Sequence, residues 1–363
     1  MKRPRTILIT GGSCAGKTTG IVRLRERLLN LGWHPVIVPE AATLIFSGAG
    51  RPDNLNRELI LKYQRAILTT QLQLEDTFAA LATDPKSVLI TDRGALDSKA
   101  FLSPEEWQVL LHDLNLNEVK LRDERYDAII HMVTTADGAR EAYKLEGVRN
   151  ETPEEAVIQD KRLQVAYLGH GHQKIIDNRG DFTEKLHRVE EEVCNFLGLP
   201  DPFELERKFK LASMPKLPSE TVISLIEQTY LVSKDGDERR LRKRTQDGTS
   251  IYTLGRKRFI SPGKRIEKEE GIRGSEYLAY MAKERDLSRQ TIRKMRHCFL
   301  HNNRCLELDV YQNPMPGMIV LEIEVSNLTD QIILPSWAND AVEVTSDSTY
   351  SNFQLALHNS QSN

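Results

Sequence analysis

Hydrophobic positions change their period once along the chain. In the first part, short apolar runs at Thr6–Thr10, His34–Val38, Ser87–Thr91 and Ala128–Val133 read as buried strands. Between them lie stretches with helical spacing. Thr18–Leu31 places Ile21, Leu24, Leu28 and Leu31 on one face, with Gly32 as a stop. Leu59–Ala82 does the same with Leu61, Ile67, Leu68 and Leu72, and Glu154–Tyr167 and Asp181–Leu197 read as helices too. Strands separated by helices predict an α/β domain, a parallel sheet covered on both faces. The segment Leu197-Gly198-Leu199-Pro200-Asp201-Pro202 breaks this pattern. From Phe203 onward the alternation has period two, at Phe203–Leu211, Glu227–Ser233, Arg239–Arg244, Ser250–Leu254, Lys264–Glu270, Arg304–Tyr311 and Met318–Val325. One helix, Gly274–Arg285, interrupts it. This half predicts an antiparallel all-β domain. The expected division is therefore 1–198, a linker at 199–202, and 203–363, with a frayed polar end at His358–Asn363.

Composition adds bounds rather than identity. The 363 residues suffice for two domains of ~150 residues each. Charged residues at 28% and hydrophobic residues at 39% are ordinary for globular chains. A formal net charge of -2 lacks the overall basic footprint of a nucleic-acid binder, so no nucleic acid is expected. The basic start Met1-Lys2-Arg3-Pro4-Arg5 is followed only by Ile7-Leu8-Ile9, too short for a signal peptide or a membrane span. Cys14, Cys194, Cys298 and Cys305 form no CxxC pair, and a reducing, cytoplasmic setting is expected.

Gly11-Gly12-Ser13-Cys14-Ala15-Gly16-Lys17-Thr18-Thr19 fits GxxxxGK[ST] between a predicted strand and a predicted helix. Glycines let the backbone turn its N–H groups toward phosphates, and the helix start adds partial positive charge. Lys17 is expected on the β- and γ-phosphates of ATP or GTP, and the Thr18 hydroxyl on Mg²⁺. Asp92 ends the strand Ser87–Thr91 at the edge where ligands of open α/β sheets gather. It could hold the metal through water, accept a proton from a substrate hydroxyl, or cap a helix. Glu40 shares that edge, and Asp97 is a weaker candidate of the same kind. Among Arg140, Arg149 and Arg162, Arg149 is chosen as a lid arginine over the phosphates, against a solvated salt bridge. His170 and His172 lack a metal-ligating pattern and read as surface or loop groups.

Gly11–Thr19, Val38-Pro39-Glu40-Ala41-Ala42, Thr91-Asp92-Arg93-Gly94 and Ile176-Asp177-Asn178 together resemble the kinase-type P-loop domain shared by NadR and the photoreceptor channel-translocation-defect proteins. The resemblance covers roughly residues 5–198. It implies ATP or GTP binding on a kinase-like core.

In the second half, charge follows strand parity. Glu204, Glu206 and Lys208 share one face, with Leu205 and Phe209 opposite. Arg242 with Arg244, Arg265 with Glu267 and Glu269, Lys294 with Arg296, and Glu322 with Glu324 repeat the spacing. A sheet with one wet face explains the alternation. A closed barrel with a polar bore would use both signs, carboxylates for Mg²⁺ or Mn²⁺ and basic residues for a polyphosphate.

Glu204-Leu205-Glu206-Arg207-Lys208 then resembles the ExExK signature of CYTH domains, the triphosphate tunnel metalloenzymes. Arg242-Lys243-Arg244, Tyr252 to Lys257, Arg265 to Glu269, Lys294-Met295-Arg296, Asp309, Glu322-Ile323-Glu324, Glu343-Val344-Thr345 and Asn352 continue the likeness over about 203–355. The resemblance implies an eight-stranded antiparallel tunnel that hydrolyses or cyclises triphosphates with divalent metal. It implies metal ligands at Glu204, Glu206, Glu322 and Glu324, with further acidic tunnel residues at Glu267 and Glu269. It implies triphosphate ligands at Lys208, Arg242, Arg244, Lys257, Lys294 and Arg296, and Arg265 joins them on the tunnel face. Where the family has Tyr-x-Leu-Thr-x-Lys, this chain has Gly255 in place of the hydroxyl residue. The leading expectation is a metal-dependent triphosphatase, with Glu204, Glu206 and Lys208 at its centre, joined to a nucleotide-binding domain. The alternatives are a nucleotide-regulated binder of anionic lipid or polyphosphate, and a small-molecule kinase with Asp92 as base.

Overall fold

Each apolar run of the first half becomes a strand of one parallel sheet. In this computed structural model the described residues are 3–50, 56–143, 151–199, 203–233, 236–325 and 328–357; the side chains of Phe203, Glu204 and Lys268 lie outside that set. The chain divides into two compact units, Met1–Val193 and Cys194–Asn363.

The first unit runs β1 (Arg5–Gly11), α1 (Lys17–Asn30), β2 (His34–Val38), α2 (Ala41–Ala49), α3 (Arg57–Leu81), β3 (Ser87–Asp92), α4 (Pro104–Asp113), α5 (Glu118–Asp123), β4 (Ala128–Met132), α6 (Pro153–Ala166) and β5 (Gln173–Ile176). Helix α7 (Phe182–Leu197) follows. The parallel order is β2-β3-β1-β4-β5. β1 is central, and its Ile7, Leu8 and Ile9 are fully buried. The chain leaves β1 toward β3 on one side and later returns to β4 on the other. The carboxyl end of β1 is therefore a topological switch point, where α/β sheets bind ligands. Helix starts are fixed locally: Asn56 caps α3, and Ser103 with Glu106 and Thr152 with Glu155 form capping boxes on α4 and α6.

The second unit contains β6 (Phe203–Leu211), β7 (Val222–Leu231), β8 (Glu238–Gln246), β9 (Thr249–Ser261), β10 (Lys264–Ile272), α8 (Gly274–Glu284), β11 (Ile292–His301), β12 (Arg304–Asn313), β13 (Ile319–Glu324), β14 (Val342–Glu343) and α9 (Asn352–Leu355). Neighbours are antiparallel in the order β10-β9-β8-β7-β11-β12-β13-β6, and β10 pairs back onto β6. Eight strands thus close into a barrel, as the resemblance implies. The short β14 pairs with the other half of the β6 edge that meets β10. Several bounds differ from the pattern reading. β7 starts earlier than Glu227, and β9 runs past Leu254 to Ser261, because ladder pairing carries a strand beyond its apolar alternation.

The hydrophobic core of this barrel lies outside its wall. Phe209, Phe299, Leu306, Leu308, Leu321 and Ile323 pack beneath Leu328, Leu334, Trp337 and Ala338 of the returning C-terminal segment. On the other flank, α8 lays Tyr277, Tyr280 and Met281 over Leu231, Leu241 and Leu254. Because side chains alternate, this outward apolar sorting turns the charged positions inward. One end of the bore is filled. There Tyr230, Ile292, Tyr311 and Val320 pack with Phe353 and Ala356, and the Tyr311 hydroxyl donates to Asn352 Oδ1 at 2.6 Å.

Candidate functional site

The loop that follows β1 needs glycine at two of its positions. Gly11 has φ 140°, and a Cβ there would sit 2.0 Å from the Met132 carbonyl oxygen. Gly16 has φ 88°, and its Cβ would meet the Phe182 ring at 2.4 Å. Cys14 also takes a left-handed φ of 57°. Gly12 N–H donates to Asp160 Oδ1 at 2.5 Å, and the Thr134 hydroxyl donates to Ser13 O at 2.6 Å. Ala15 is buried against the core, and α1 begins at Lys17, so Thr18 and Thr19 lie exposed in its first turn. Lys17 Nζ donates to Gly11 O and Gly12 O at 3.0 and 2.9 Å. Burial, aided by the nearby Arg93 charge, pushes the Lys17 ammonium down to about 7 against the pull of Asp92, Glu40 and Asp97.

Asp92 ends β3 with Oδ1 buried and unpartnered, and burial raises its carboxyl above the usual range. An unpartnered carboxylate oxygen and the Thr18 hydroxyl are hard oxygen donors, which fit Mg²⁺. Arg93, at φ 71°, donates to Gly11 O at 2.6 Å and pairs with Glu40 and Asp97, each at 3.3 Å. Asp97 is not a helix cap, and it lies at the ligand edge beside the end of β1 and Arg93. It is buried and accepts bonds from the Thr10 and Tyr167 hydroxyls, the latter at 2.7 Å, which tie β1 to α6.

Arg149 lies outside the described residues. Arg140 forms an exposed pair with Glu154 at 3.0 Å. His170 is a loop residue but not a surface one: it is buried and bonded to Tyr126 O at 2.9 Å. Asn178 donates to Thr134 O and Asp137 O and accepts from Lys185 Nζ at 2.6 Å. Arg93 and Asp160 brace the loop, yet the sequence assigned neither a role. Asp160 reaches it from α6 and carries no local signal.

In the second unit, register places the charged positions on the bore. Glu322 lies opposite Lys208, Glu324 opposite Glu206, Glu307 opposite Glu322, and Arg296 opposite Asp309. Across the barrel, Arg242 lies opposite Thr253, Arg244 opposite Ile251, and Glu267 opposite Lys257. Glu204 holds the register position opposite Arg265. Basic and acidic groups interleave as ion pairs. Lys208 Nζ reaches Glu322 at 2.5 Å and Glu206 at 3.3 Å, and Arg265 also pairs with Glu206. Arg296 bonds Glu322 Oε2 at 2.6 Å and Asp309 Oδ1 at 2.8 Å, and pairs with Glu307. Lys294 pairs with Asp309, which is fully buried. Lys257 Nζ holds Glu267 at 2.6 Å, and Arg240 pairs with the same carboxylate. Arg242 and Thr253 hold Glu269 at 3.4 and 2.8 Å.

These pairs set the protonation states. Burial pushes the Glu322 carboxyl up, but Lys208, Lys294 and Arg296 override it and hold it well below the usual range. Burial works against the Lys208 ammonium, yet Glu206 and Glu322 raise it above the ordinary lysine value. For Lys294 burial wins over Asp309 and Glu322, and its proton is held less tightly. Where carboxylates fall on adjacent strands, as Glu206 and Glu322 do, a lysine ammonium stands between them. Glu206 and Glu324 face each other across β6 and β13, an oxygen pair of the kind hard cations take. Among the described residues, however, no three His, Cys, Asp or Glu groups converge to hold an ion.

Residues 6–185 match the family model described as an AAA domain. No curated protein matches the chain. Among solved structures, the chain is similar to the hypothetical protein NE1496 at 28% identity, covering 43% of this chain and 98% of that one, with TM-score 0.32. The inorganic triphosphatase NE1496 matches at 27% identity over 43% and 95%, TM-score 0.30. The PH1819 protein from Pyrococcus horikoshii OT3 matches at 17% identity over 34% and 80%, TM-score 0.27. No described helix is long and apolar enough to cross a membrane.

Proposed function

We propose that the first unit binds ATP or GTP at Gly11–Thr19, and that the barrel binds an inorganic or organic triphosphate and hydrolyses its terminal phosphate. The carrying observation is a closed barrel whose apolar core lies outside its wall while Lys208, Arg242, Arg244, Lys257, Arg265, Lys294 and Arg296 share the bore with carboxylates. A bore of buried cations has no structural need that apolar residues would not meet better. Paired guanidinium and ammonium groups suit phosphate oxygens.

The chain's own residues then do three things. Lys294 and Arg296 on one wall and Arg242 and Lys257 on the other exchange their carboxylate partners for phosphate oxygens, and Arg244 adds a further guanidinium. Water adds to the terminal phosphorus and loses a proton to bulk water as the bridging P–O bond breaks, and the electron pair passes to the departing diphosphate, whose charge Lys208 and the arginines stabilise. Glu204 and Glu324, with Glu206 freed from Lys208 and Arg265, would hold Mg²⁺ or Mn²⁺, which when bound neutralises phosphate charge and activates water. In the first unit, Thr18 and Asp92 would hold Mg²⁺ beside the nucleotide, and Lys17 would release Gly11 O and Gly12 O to meet the phosphates.

Phosphate release from tripolyphosphate, ATP, GTP and thiamine triphosphate, with Mg²⁺ and Mn²⁺ varied, tests the reading. Glu206→Gln should abolish tripolyphosphate hydrolysis while leaving nucleotide binding intact, and Lys17→Ala should do the reverse. Full hydrolysis by Glu206→Gln refutes the tunnel assignment. A second reading, polyphosphate binding without turnover, is favoured by the pairing of Glu206, Glu267, Glu269 and Glu322 with basic side chains. Tripolyphosphate binding with no release under any metal would select it.

A further inference from the structure

Two cysteines meet on the inner face of the barrel, toward the end away from its aromatic plug. β11 leaves Ile292 in the plug and runs through Lys294 and Arg296 to Cys298, and β12 returns from Cys305 through Glu307 and Asp309 to Tyr311. The outer face of this hairpin sends Phe299, Leu306 and Leu308 into the apolar core, so alternation turns Cys298 and Cys305 inward with Arg296 and Glu307. Cys298 lies opposite Glu307 and Leu300 opposite Cys305, which makes the two cysteines diagonal neighbours. Both thiols are free, and they are hydrogen-bonded to each other. That bond, with burial and Glu307 adding to it, holds the Cys305 thiol well above the ordinary cysteine range against the pull of Arg296. Cys298 is 2% exposed, and Cys305 is half-buried. A cysteine facing a core is a small packing residue. This pair faces charged side chains instead.

We propose that Cys298 and Cys305 form a reversible redox site, a dithiol that hydrogen peroxide converts into a disulfide linking β11 to β12. The chemistry balances in two steps. The Cys305 sulfur, the more exposed one, attacks a peroxide oxygen; the O–O bond breaks, a sulfenic acid forms and one water leaves. The Cys298 sulfur then attacks the Cys305 sulfur, the S–O bond breaks, and the hydroxyl departs with the Cys298 proton as a second water. Two electrons pass from the sulfurs to the peroxide. Because Cys305 keeps its proton, the first step is slow and needs sustained peroxide. The second is fast, since the resolving thiol already touches its target, and this protects Cys305 from further oxidation. Diagonal neighbours have Cα atoms about 7–8 Å apart, slightly beyond the usual span of a disulfide. Closing the bond therefore draws the strands together, and a bond under such strain is the labile, reducible kind. It ties the hairpin one rung from the pair of Arg296 with Glu307. The site stands on this hairpin alone and does not depend on what the bore binds.

Peptide mapping of the full chain tests this. The folded protein is treated with hydrogen peroxide, its remaining thiols are alkylated, and it is digested with trypsin without reduction. Arg296 and Arg304 place Cys298 in the peptide 297–304 and Cys305 at the start of the next one, so a disulfide between them joins two separate peptides. Mass spectrometry should find that linked pair after peroxide and lose it after dithiothreitol. The chain should stay monomeric on a non-reducing gel, which assigns the bond to one molecule. Cys305→Ser should yield no linked peptide and leave Cys298 alkylated. Wild-type mapping decides by itself if that variant does not fold. The proposal is overturned if both cysteines remain alkylated after prolonged peroxide, or if either ends as a sulfinic or sulfonic acid in place of the link. A bond from either of them to Cys14 or Cys194, or a disulfide-linked dimer, overturns it as well.

Discussion

Asp309→Asn should destabilise the barrel and make it respond more strongly to polyphosphate. Asp309 is fully buried and accepts from Arg296 at 2.8 and 2.6 Å while pairing with Lys294, itself 1% exposed. The amide keeps the shape but removes the charge, leaving two buried cations with Glu307 and Glu322 as their remaining counter-charges. Removing one partner of a buried pair costs about 3–5 kcal/mol, and the two remaining carboxylates favour the low end, about 3 kcal/mol. For a unit of this size each kcal/mol shifts the midpoint by about 2–4 °C, so the transition should fall by roughly 6–12 °C. Differential scanning calorimetry of the full chain reads this directly. The pH dependence has a definite sign. Lys294 holds its proton less tightly in the folded state than in the unfolded chain, so the unfolded state binds more protons between the depressed value and the ordinary lysine range. Stability contributed by this group rises with pH across that window, and more so once Asp309 no longer supports the charge. Saturating tripolyphosphate supplies the missing negative charge and should raise the variant's midpoint by more than it raises wild type's. A variant that melts within about 2 °C of wild type, with equal response to polyphosphate, refutes the reasoning (the threshold is the low end of the shift that about 1 kcal/mol gives).

Further outcomes follow from the first unit. Tyr126→Phe removes the hydroxyl that donates to Glu75 at 2.7 Å and accepts from Ala95 N–H at 2.6 Å, so urea unfolding should show a loss of about 1–3 kcal/mol. Gly11→Ala places a Cβ against the Met132 carbonyl, and nucleotide titration should show binding abolished. Asp160→Ala leaves Gly12 N–H and His131 Nε2 without their acceptor and should cost about 2 kcal/mol while weakening nucleotide affinity, since the loop loses its brace. Unchanged affinity in that variant would separate Asp160 from the loop's function.

The fold class was legible because two periods dominate the chain. Apolar runs between amphipathic helices gave the parallel sheet, and period-two alternation gave the antiparallel barrel. What escaped was fixed by distant partners. β11 places Lys294 and Arg296 on one face, but its opposite face mixes Arg293, Met295, His297 and Phe299, so alternation alone does not mark a strand there. The four-residue β5 and the short α2 and α5 are held by their neighbours in the sheet and its helix layers, and carry too little pattern of their own. Ser103-Pro104-Glu105-Glu106 did carry a capping signal for α4 that the periodic reading passed over. In the bore, the sequence sorted charges by face but gave no pairing. Arg240 is one basic residue in the run Arg239 to Arg244, and its burial and its pair with Glu267 are set by the fold. Asp160 illustrates the same limit, since a helix residue reaches Gly12 across a large sequence separation.

The most direct test is a crystal structure of the full chain grown with tripolyphosphate and Mn²⁺. Phosphates should lie inside the barrel among Lys208, Arg242, Lys257, Lys294 and Arg296, with an anomalous manganese peak beside Glu206 and Glu324. Phosphates confined to the outer surface, with the inner ion pairs of Lys208, Lys294 and Arg296 intact, would contradict it.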